Sequence, residues 1–369
     1  LLFIIMNCMK TSAQYLYQLF WYKKKISGGD AIMQSIALDI HLKHINACIR
    51  NDAGKIDLQT KFKTDPEALH RFLVHVNKEH SKIVIEACSC WEFIYDYLTD
   101  AGYNVILANP CQIEKNRGRK TDKLDAKKLS KLLHAGMIPE AYAPPMDVRD
   151  QRSLTRLKQS LTELRTRLKN KVNAILIRNG IVHGFSDVFG IAGLQYLRSI
   201  DLEMRDRYQM DTYLDTISYI DRQIKDVAER IEEVEVRNPD IKIVRSHPGF
   251  DYYLSLLFIG EIGDNRRFQS YNKLTAYAGL DPSISQSGDK CYRGHITKKG
   301  NKRLRWCLIQ AAHVAVMHDS KYAKIFHKIK AKKNANVAYV AVARKILKTL
   351  YYMLKHHSYY RPVKDRKAS

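Results

Sequence analysis

Acidic residues are in short supply. The 369-residue chain carries 38 Asp and Glu against 62 Lys and Arg, a formal net charge of +24. The shortage is uneven: from Lys290 to Ser369 there are 21 basic residues and 2 acidic ones. A positive charge this large and this localised argues for a polyanionic partner, of which nucleic acid is the commonest. Long apolar runs are also lacking. Leu1–Met6 is far too short to span a bilayer, and Lys23-Lys24-Lys25 stands after it in place of a signal-cleavage site. With no lipidation motif either, the sequence offers nothing for a membrane partner. Paired cysteine motifs are missing as well. Seven cysteines (8, 48, 88, 90, 111, 291 and 307) are odd in number and scattered, and Cys88-Ser-Cys90 is too tight for a zinc-finger pair. Reduced, structural thiols are expected.

What is present is 45% apolar residues, enough for real cores, over a length that suits two or three domains. The organised pattern begins only after Met33, so residues 1–32 are expected to be an upstream extension of the reading frame or a fragment edge. From there Gln34–Ile40 reads as a buried strand and His44–Ile49 as a second. Asn51-Asp-Ala-Gly54 is a hairpin turn, and Ile56–Phe62 a third strand. Thr64-Asp-Pro starts a helix expected to run to about His80. A strand at Lys82–Ala87, a helix at Trp91–Ala101 and a strand at Asn104–Ala108 come next. Three meander strands and then alternating helix and strand is the order of a ribonuclease-H-like α/β domain.

The next stretch, Arg119-Lys-Thr-Asp-Lys-Leu-Asp-Ala126 through Leu133, reads as a helix with Thr121 as candidate N-cap and apolar positions at Leu124, Leu129, Leu132 and Leu133. Asp122 and Asp125 stand three apart, so both carboxylates lie on one helix face. Alone they are ordinary first-turn aspartates favoured by the helix dipole. Asp39, at the end of the first strand, and Glu86, near the end of the fourth, change that reading. Four carboxylates brought together repel one another unless cations neutralise them, and hard oxygen ligands suit Mg²⁺ or Mn²⁺. One or two such ions serve phosphodiester chemistry.

After Pro144-Pro145 the character changes. Leu157, Leu161, Leu164, Leu168, Val172 and Ile175 form a near-heptad seam, and Arg149–Arg178 holds nine basic and two acidic residues. A second seam runs Ile217, Ile220, Ile224, Val227, Ile231, Val234. Two long helices of this kind make an antiparallel hairpin or a coiled coil between subunits. Pro239 breaks the second helix. His247-Pro-Gly249 and an amphipathic run to Ile262-Gly-Asp264 then outline a helix-hairpin-helix-like element whose glycine turn offers N–H groups to a phosphate. Tyr277–Gly288 reads as a loop with serines at 283, 285 and 287 beside Lys298, Lys299, Lys302, Arg303 and Arg305. A serine hydroxyl near cations can act as a nucleophile, although serines in a solvated loop are the plainer reading. Terminal helices are expected at about Asn301–His318 and Asn336–His356, then a basic tail from Arg361.

Taken together these residues resemble the DEDD-type transposases of insertion sequences: the IS-one-ten and IS-eleven-eleven groups, with the Piv invertases. The resemblance covers about residues 33–350. It rests on Ala37-Leu-Asp39, Ile83-Val-Ile-Glu-Ala87, Arg119–Ala126, His247-Pro-Gly249, Glu261-Ile-Gly-Asp264, Ala278-Gly-Leu-Asp-Pro282, Ser287-Gly288 and Ile296-Thr-Lys-Lys-Gly-Asn301. It implies a RuvC-like domain at 33–148 with the acidic tetrad Asp39, Glu86, Asp122 and Asp125. A helical coiled-coil linker would occupy 149–238, with a mostly helical C-terminal transposase domain at 239–358 and a tail at 359–369. It implies that Ser287 is the strand-attacking nucleophile, and that Arg119, Lys120 and the 298–305 cluster meet nucleic acid. It further implies a homo-oligomer (dimer or tetramer), a guide-type non-coding RNA beside the DNA, and a place in the cytoplasm of a bacterial or archaeal cell near the nucleoid. Departures are mild: Ala87-Cys-Ser-Cys90 fills a turn where a glycine is usual, and Asp39-Ile40 replaces the commoner Asp-Val. Two alternatives stand beside the recombinase reading. One is a junction-resolving, metal-dependent nuclease using water; the other is a non-catalytic basic nucleic-acid-binding protein.

Overall fold

The computed structural model describes residues 33–110, 112–113, 122–287 and 290–362; the side chains of 122–123, 235–237, 284–287 and 290–293 lie outside that description. The expected extension at 1–32, Arg119, Lys120, the Thr121 cap and the end of the basic tail therefore also lie outside it. The chain divides into two compact units, one up to Ala143 and one from Pro144.

The N-terminal unit is built on a five-stranded sheet. Its strands are β1 (Gln34–Ile40), β2 (His44–Arg50), β3 (Ile56–Lys63), β4 (Ser81–Glu86) and β5 (Val105–Ala108). Their order is β3-β2-β1-β4-β5, with β1–β2 and β2–β3 antiparallel and β1–β4 and β4–β5 parallel. The parallel steps need helical crossovers, supplied by α1 (Pro66–Leu73) and α2 (Trp91–Asp100). Both sheet faces are covered, which is why β1 reads as a continuous buried run. Ile36, Leu38, Ile45, Ile49, Ile83 and Ile85 face one core with Leu69, Phe72, Ile94 and Leu98. Ala37, Val84 and Ala108 face the other, where Leu129 and Leu133 of α3 (Asp122–His134) fill the space above these small side chains.

Two boundaries differ from expectation. Helix α1 ends at Leu73, not near His80, because the segment beyond it is tied to the start of β1. Gln34 Nε2 donates to the His75 carbonyl at 3.4 Å, and Asn77 N–H donates to Gln34 Oε1 at 2.7 Å. Asn77 Oδ1 then accepts from the N–H groups of Glu79 and His80, a side-chain turn that competes with helix. In α3, Leu124 is exposed. The buried stripe is Ala126, Leu129, Ser130 and Leu133, one step round the helix from the leucine spacing.

The second unit opens with α4 (Met146–Arg178), α5 (Ile191–Ser199) and α6 (Met204–Arg237). Arg165 meets Asp221 and Arg178 meets Asp206, each at 2.6 Å, so α4 and α6 run antiparallel within one chain. Asp206 ties the far end together, accepting from Asn179 Nδ2 at 2.7 Å as well as from Arg178 and Arg205. Leu157 and Leu164 of the expected seam stay exposed. Then come α7 (Pro239–Arg245), α8 (Tyr252–Ile262), a 3₁₀ turn at Asn265–Arg267, α9 (Tyr271–Tyr277), strands β6 (Pro282–Ser287) and β7 (Lys290–Ile296), α10 (Lys302–His318), α11 (Ser320–Lys330) and α12 (Ala335–Lys355). Two expectations change here. Helix α8 is not amphipathic: every residue from Leu254 to Ile262 is buried, because other helices pack around it. The serine segment is a strand of an antiparallel hairpin rather than a loop. The α7–α8 turn is packed inward, since a Cβ on Gly249 (φ 106°) would stand 2.4 Å from the Ala311 carbonyl oxygen. That crowding sets the His-Pro-Gly segment against α10.

His247 of that turn is 1% exposed. Its Nε2 lies 2.7 Å from the Tyr322 hydroxyl, and its Nδ1 lies 2.7 Å from the Pro248 carbonyl oxygen, to which it donates as the neutral tautomer. Burial pushes its pKa down from 6.5 to about 4. The folded pKa lies below the unfolded one, so the unfolded chain takes up the proton first. The resulting stability is complete above about pH 6.5 and is lost as pH falls toward 4. Urea unfolding of the protein is expected to lose about 3 kcal/mol over that interval, and a His247→Phe variant should show a flatter profile there. Identical slopes for the two proteins would refute this assignment.

Candidate active site

The acidic residues of the N-terminal unit owe their placement to strand register. Leu38 pairs with Ile85 across the parallel β1–β4 ladder, so Asp39 and Glu86 are the next positions along adjacent strands. Both alternate with the residues of the Ile36–Ile83 face, so both emerge on the side covered by α3. Helix α3 runs opposite to β1. Its last residue, His134, crowds Gly54 at the β2–β3 turn, beside the start of β1, so its first residues lie toward the strand ends that carry Asp39 and Glu86. Three contacts from β2 hold the helix down: Arg50 Nε donates to Ser130 Oγ at 2.9 Å, Arg50 Nη2 to the Lys127 carbonyl at 3.3 Å, and Ser130 Oγ to Cys48 Sγ at 3.2 Å. Asp122 begins α3 and Asp125 lies one turn before Leu129.

Asp39 is 8% exposed. Its Oδ2 lies 3.1 Å from Nε2 of His41, whose ring stacks on His44 with centroids 4.8 Å apart. Across the antiparallel ladder its partner is Asn46, whose Nδ2 is buried without a hydrogen-bond partner. Glu86 and Asp125 are half-buried. Among the described residues no three His, Cys, Asp or Glu side chains converge closely enough to hold a metal ion, and the Asp122 side chain is outside the description. The donor set is nevertheless of the hard-oxygen kind that Mg²⁺ takes. His41 and Asn46 escaped the sequence reading. A His two residues beyond a strand-end Asp was the available signal for the first; the second needed the ladder register. Just beyond Glu86, burial pushes the Cys88 thiol up to about 11, and its sulfur lies 3.6 Å from that of Cys90. The four cysteines described are all free.

In the second unit the residues cluster around one buried acid. Glu261 on α8 has no exposed side-chain surface. Arg156 of α4 grips it with two bonds, Nε to Oε1 at 2.9 Å and Nη2 to Oε2 at 3.0 Å, and Asn301 Nδ2 adds a third at 2.7 Å. Arg152 donates to the carbonyls of Gly260 and Glu261 at 2.6 and 3.0 Å. Burial works to raise the pKa of Glu261, but the bonds from Arg156 and Asn301 outweigh it and the net shift is downward. Asn301 also caps α10, its Oδ1 accepting from the N–H groups of Arg303 and Leu304.

The same asparagine anchors the segment that precedes α10. Asn301 N–H donates to the Tyr277 carbonyl at 2.8 Å, and Lys298 N–H to the Gly279 carbonyl at 3.2 Å. Gly300 has φ 142°, and a Cβ there would stand 2.5 Å from the Tyr277 carbonyl oxygen, so the close approach of these backbones requires glycine. These contacts frame the β6–β7 hairpin. Ser287 ends β6, in register with Lys290; its side chain is outside the description. Lys298, Lys299 and Lys302 lie at the surface beyond the hairpin. Arg305 is engaged internally, with Nη1 donating to the Ala278 and Lys298 carbonyls. Arg156 was not singled out from sequence, and Asn301 entered only as the end of the Ile296–Asn301 motif. The spacing of more than a hundred residues between Arg156 and Glu261 gives no local signal.

Comparison with known proteins adds to this geometry. A transposase model of the DEDD type grouped with IS110 matches residues 36–179, and the model of the transposase IS116/IS110/IS902 family matches residues 241–328. The chain belongs to the IS110 family of transposases. The transposase for insertion sequence element IS1111A of Coxiella burnetii is 25% identical over 76% of this chain and 79% of its own length. That for insertion sequence element IS1328 of Yersinia enterocolitica is 22% identical over 78% of this chain and 82% of its own. The putative transposase y4qE of Sinorhizobium fredii is 26% identical over 63% of this chain, a stretch that spans 58% of that protein. The acidic residues of the sheet and α3 fall in the first matched segment, as does Arg156; Glu261, Asn301 and the serine hairpin fall in the second.

The Glu261 lock is testable. Removing one member of a buried ion pair leaves the other charge uncompensated, so Glu261→Ala should destabilise the protein by about 3–5 kcal/mol in urea unfolding. Glu261→Gln, which keeps the shape and part of the bonding, should cost less. Equal unfolding midpoints for wild type and the alanine variant would rule out the role described.

Proposed function

We propose that the chain is a divalent-metal-dependent DNA transposase. In this reading the N-terminal unit is an RNase H-like, RuvC-like catalytic domain, and the C-terminal unit supplies Ser287 as the nucleophile. The observation that carries the proposal is the register that sets Asp39 beside Glu86 on the sheet face crossed by α3, the helix on whose first turn Asp122 and Asp125 stand.

Asp39, Glu86, Asp122 and Asp125 would hold Mg²⁺ or Mn²⁺. Bound there, the ion supplies Lewis acidity at a phosphate oxygen and favours the anionic form of a nucleophile. The chain's own groups do the rest. His41 holds the Asp39 carboxylate, and the buried Asn46 amide is a donor in register with it. The Ser287 hydroxyl loses its proton and its oxygen attacks phosphorus; the bond from phosphorus to a deoxyribose oxygen breaks and that oxygen leaves protonated. The resulting phosphoserine ester keeps the bond for rejoining to another strand. Lys298, Lys299 and Lys302, with Arg119, Lys120, Arg303 and Arg305, are the nucleic-acid-contacting set, weighted to backbone phosphates that carry no sequence information. That suits a partner RNA, a structured non-coding strand, that would choose the DNA by pairing. The exposed Leu157 and Leu164 on the α4 seam suit a homo-oligomer. No described helix is long and apolar enough to cross a membrane, and the reading puts the chain with chromosomal DNA in the cytoplasm.

One observation favours a second reading. Ser287 and the acids belong to different compact units, so a nuclease that hydrolyses DNA with water, leaving Ser287 incidental, also fits the first unit. Products separate the two, since only the transposase rejoins strands.

With element-end DNA and Mg²⁺, Asp39→Asn, Glu86→Gln and Asp125→Asn should each lower cleavage about 100-fold or more, as expected for losing several kcal/mol of charge stabilisation. Ser287→Ala should bind DNA normally yet form no covalent adduct on denaturing gels. Recombination at the wild-type rate by the serine variant would exclude the serine mechanism; full activity of the three acid variants would exclude the metal site.

A further inference from the structure

Away from the serine hairpin, the second unit carries an open groove of about 630 Å³ between α4, α8 and α10. Such a volume is within the range of roughly 300–1,000 Å³ usual for small-ligand sites. Its walls mix aromatic faces with hydrogen-bonding groups: Tyr253 and Trp306 on one side, Gln159, Glu163 and Arg167 of α4 on the other. Trp306 is 38% exposed, unusual for an indole beside a well-packed core. Tyr253 is inclined to it at 65° with centroids 6.4 Å apart, so the two rings are not stacked face to face.

The surroundings carry both signs of charge, with Arg167 and Glu163 in the wall and Lys158, Arg303 and Asp251 near Tyr253. The Lys158 ammonium sits 4.4 Å above the Tyr253 ring. Arg303 lies one helical turn before Trp306, and its Nε is buried without a partner. Gln159 donates through Nε2 to Glu163 at 3.1 Å, which orients the amide and leaves Oε1 buried and unpartnered. The groove thus has a part-exposed indole, one guanidinium (Arg167) and the amide and carboxylate of Gln159 and Glu163 in its wall.

We propose that this groove takes an unpaired base of a single-stranded nucleic acid, with Trp306 as the stacking platform. The base face would lie on the indole, its polar edge would meet the wall formed by Gln159 and Glu163, and the adjoining phosphates would meet Arg167 and Lys158. A base held in a duplex cannot stack on a side chain, so the site selects unpaired strands without reading their sequence. The proposal rests on the transposase reading for why such strands occur, since strand exchange exposes unpaired bases. It does not depend on the metal site or on Ser287.

The test uses the full chain and three probes at fixed salt, followed by fluorescence anisotropy: a labelled 12-nucleotide deoxyadenosine strand, its RNA counterpart and a 20-base-pair duplex. Trp306→Ala should weaken single-strand binding about 5- to 150-fold, the equivalent of losing one base–aromatic stack. Trp306→Phe should keep most of the affinity, and both variants should bind duplex as wild type does. A loss confined to the DNA strand, or to the RNA strand, supports the site and identifies which strand occupies the groove. Unchanged single-strand binding by Trp306→Ala overturns the proposal. So does an equal loss on duplex, which would mark Trp306 as merely structural. Because the readout is binding, the Trp306 effect is scored whether or not the acid variants lose cleavage, and the two readings can fail separately.

Discussion

One carboxylate without contact to water holds the C-terminal unit together. Glu261 sits in a chain with a large excess of positive charge, and burying it alone would cost several kcal/mol. Arg156 and Asn301 make the burial tolerable, and in doing so they fix three things at once. The long helix α4 is pinned to the central helix α8. Helix α10 receives its N-cap. The segment from Thr297 to Gly300 is drawn against the turn at Ala278-Gly279. The β6–β7 hairpin that carries Ser287 grows out of that junction, so the position of a candidate nucleophile depends on an ion pair formed by residues far apart in the chain.

The N-terminal unit solves a different problem. Carboxylates repel, and a fold that assembles them must hold the backbone against that repulsion. Here the force comes from packing. Ala37, Val84 and Ala108 are small, so α3 settles closely on the sheet and Leu129 and Leu133 fill the gap. Arg50, reaching from β2 to Ser130 and the Lys127 carbonyl, sets where along the sheet the helix lies. The acids sit at the ends of these rigid elements rather than on loops, which limits how far they can move apart. His41 and Asn46 then form the local environment of Asp39.

Much of this was legible in the sequence. Apolar runs and turn signals put β1 to β5 within a residue or two of their bounds, and the Asp122/Asp125 spacing marked a helix face. The misses have physical causes. Helix α1 stops early because Gln34 and Asn77 capture its continuing backbone, and no propensity reports a bond made 43 residues away. Helix α8 was expected to be amphipathic from the spacing of its apolar residues, yet Ser255 and Glu261 are buried with them because other helices surround it. Serines and glycine suggested a loop at 277–288, whereas cross-strand pairing with 290–296 makes a hairpin of its second half.

By itself the sequence determined the strand and helix periods, the positions of the acids along the chain, the basic surplus and the family they resemble. These are properties of local spacing and composition, and they survive any change in how the elements pack. Only the tertiary structure decided that Asp39 and Glu86 are adjacent, that Asn46 and His41 attend Asp39, that Glu261 finds Arg156, and that Trp306 is left part exposed in an open groove. Most of those depend on register or on contacts between residues tens to hundreds of positions apart, and a linear pattern holds no record of such distances.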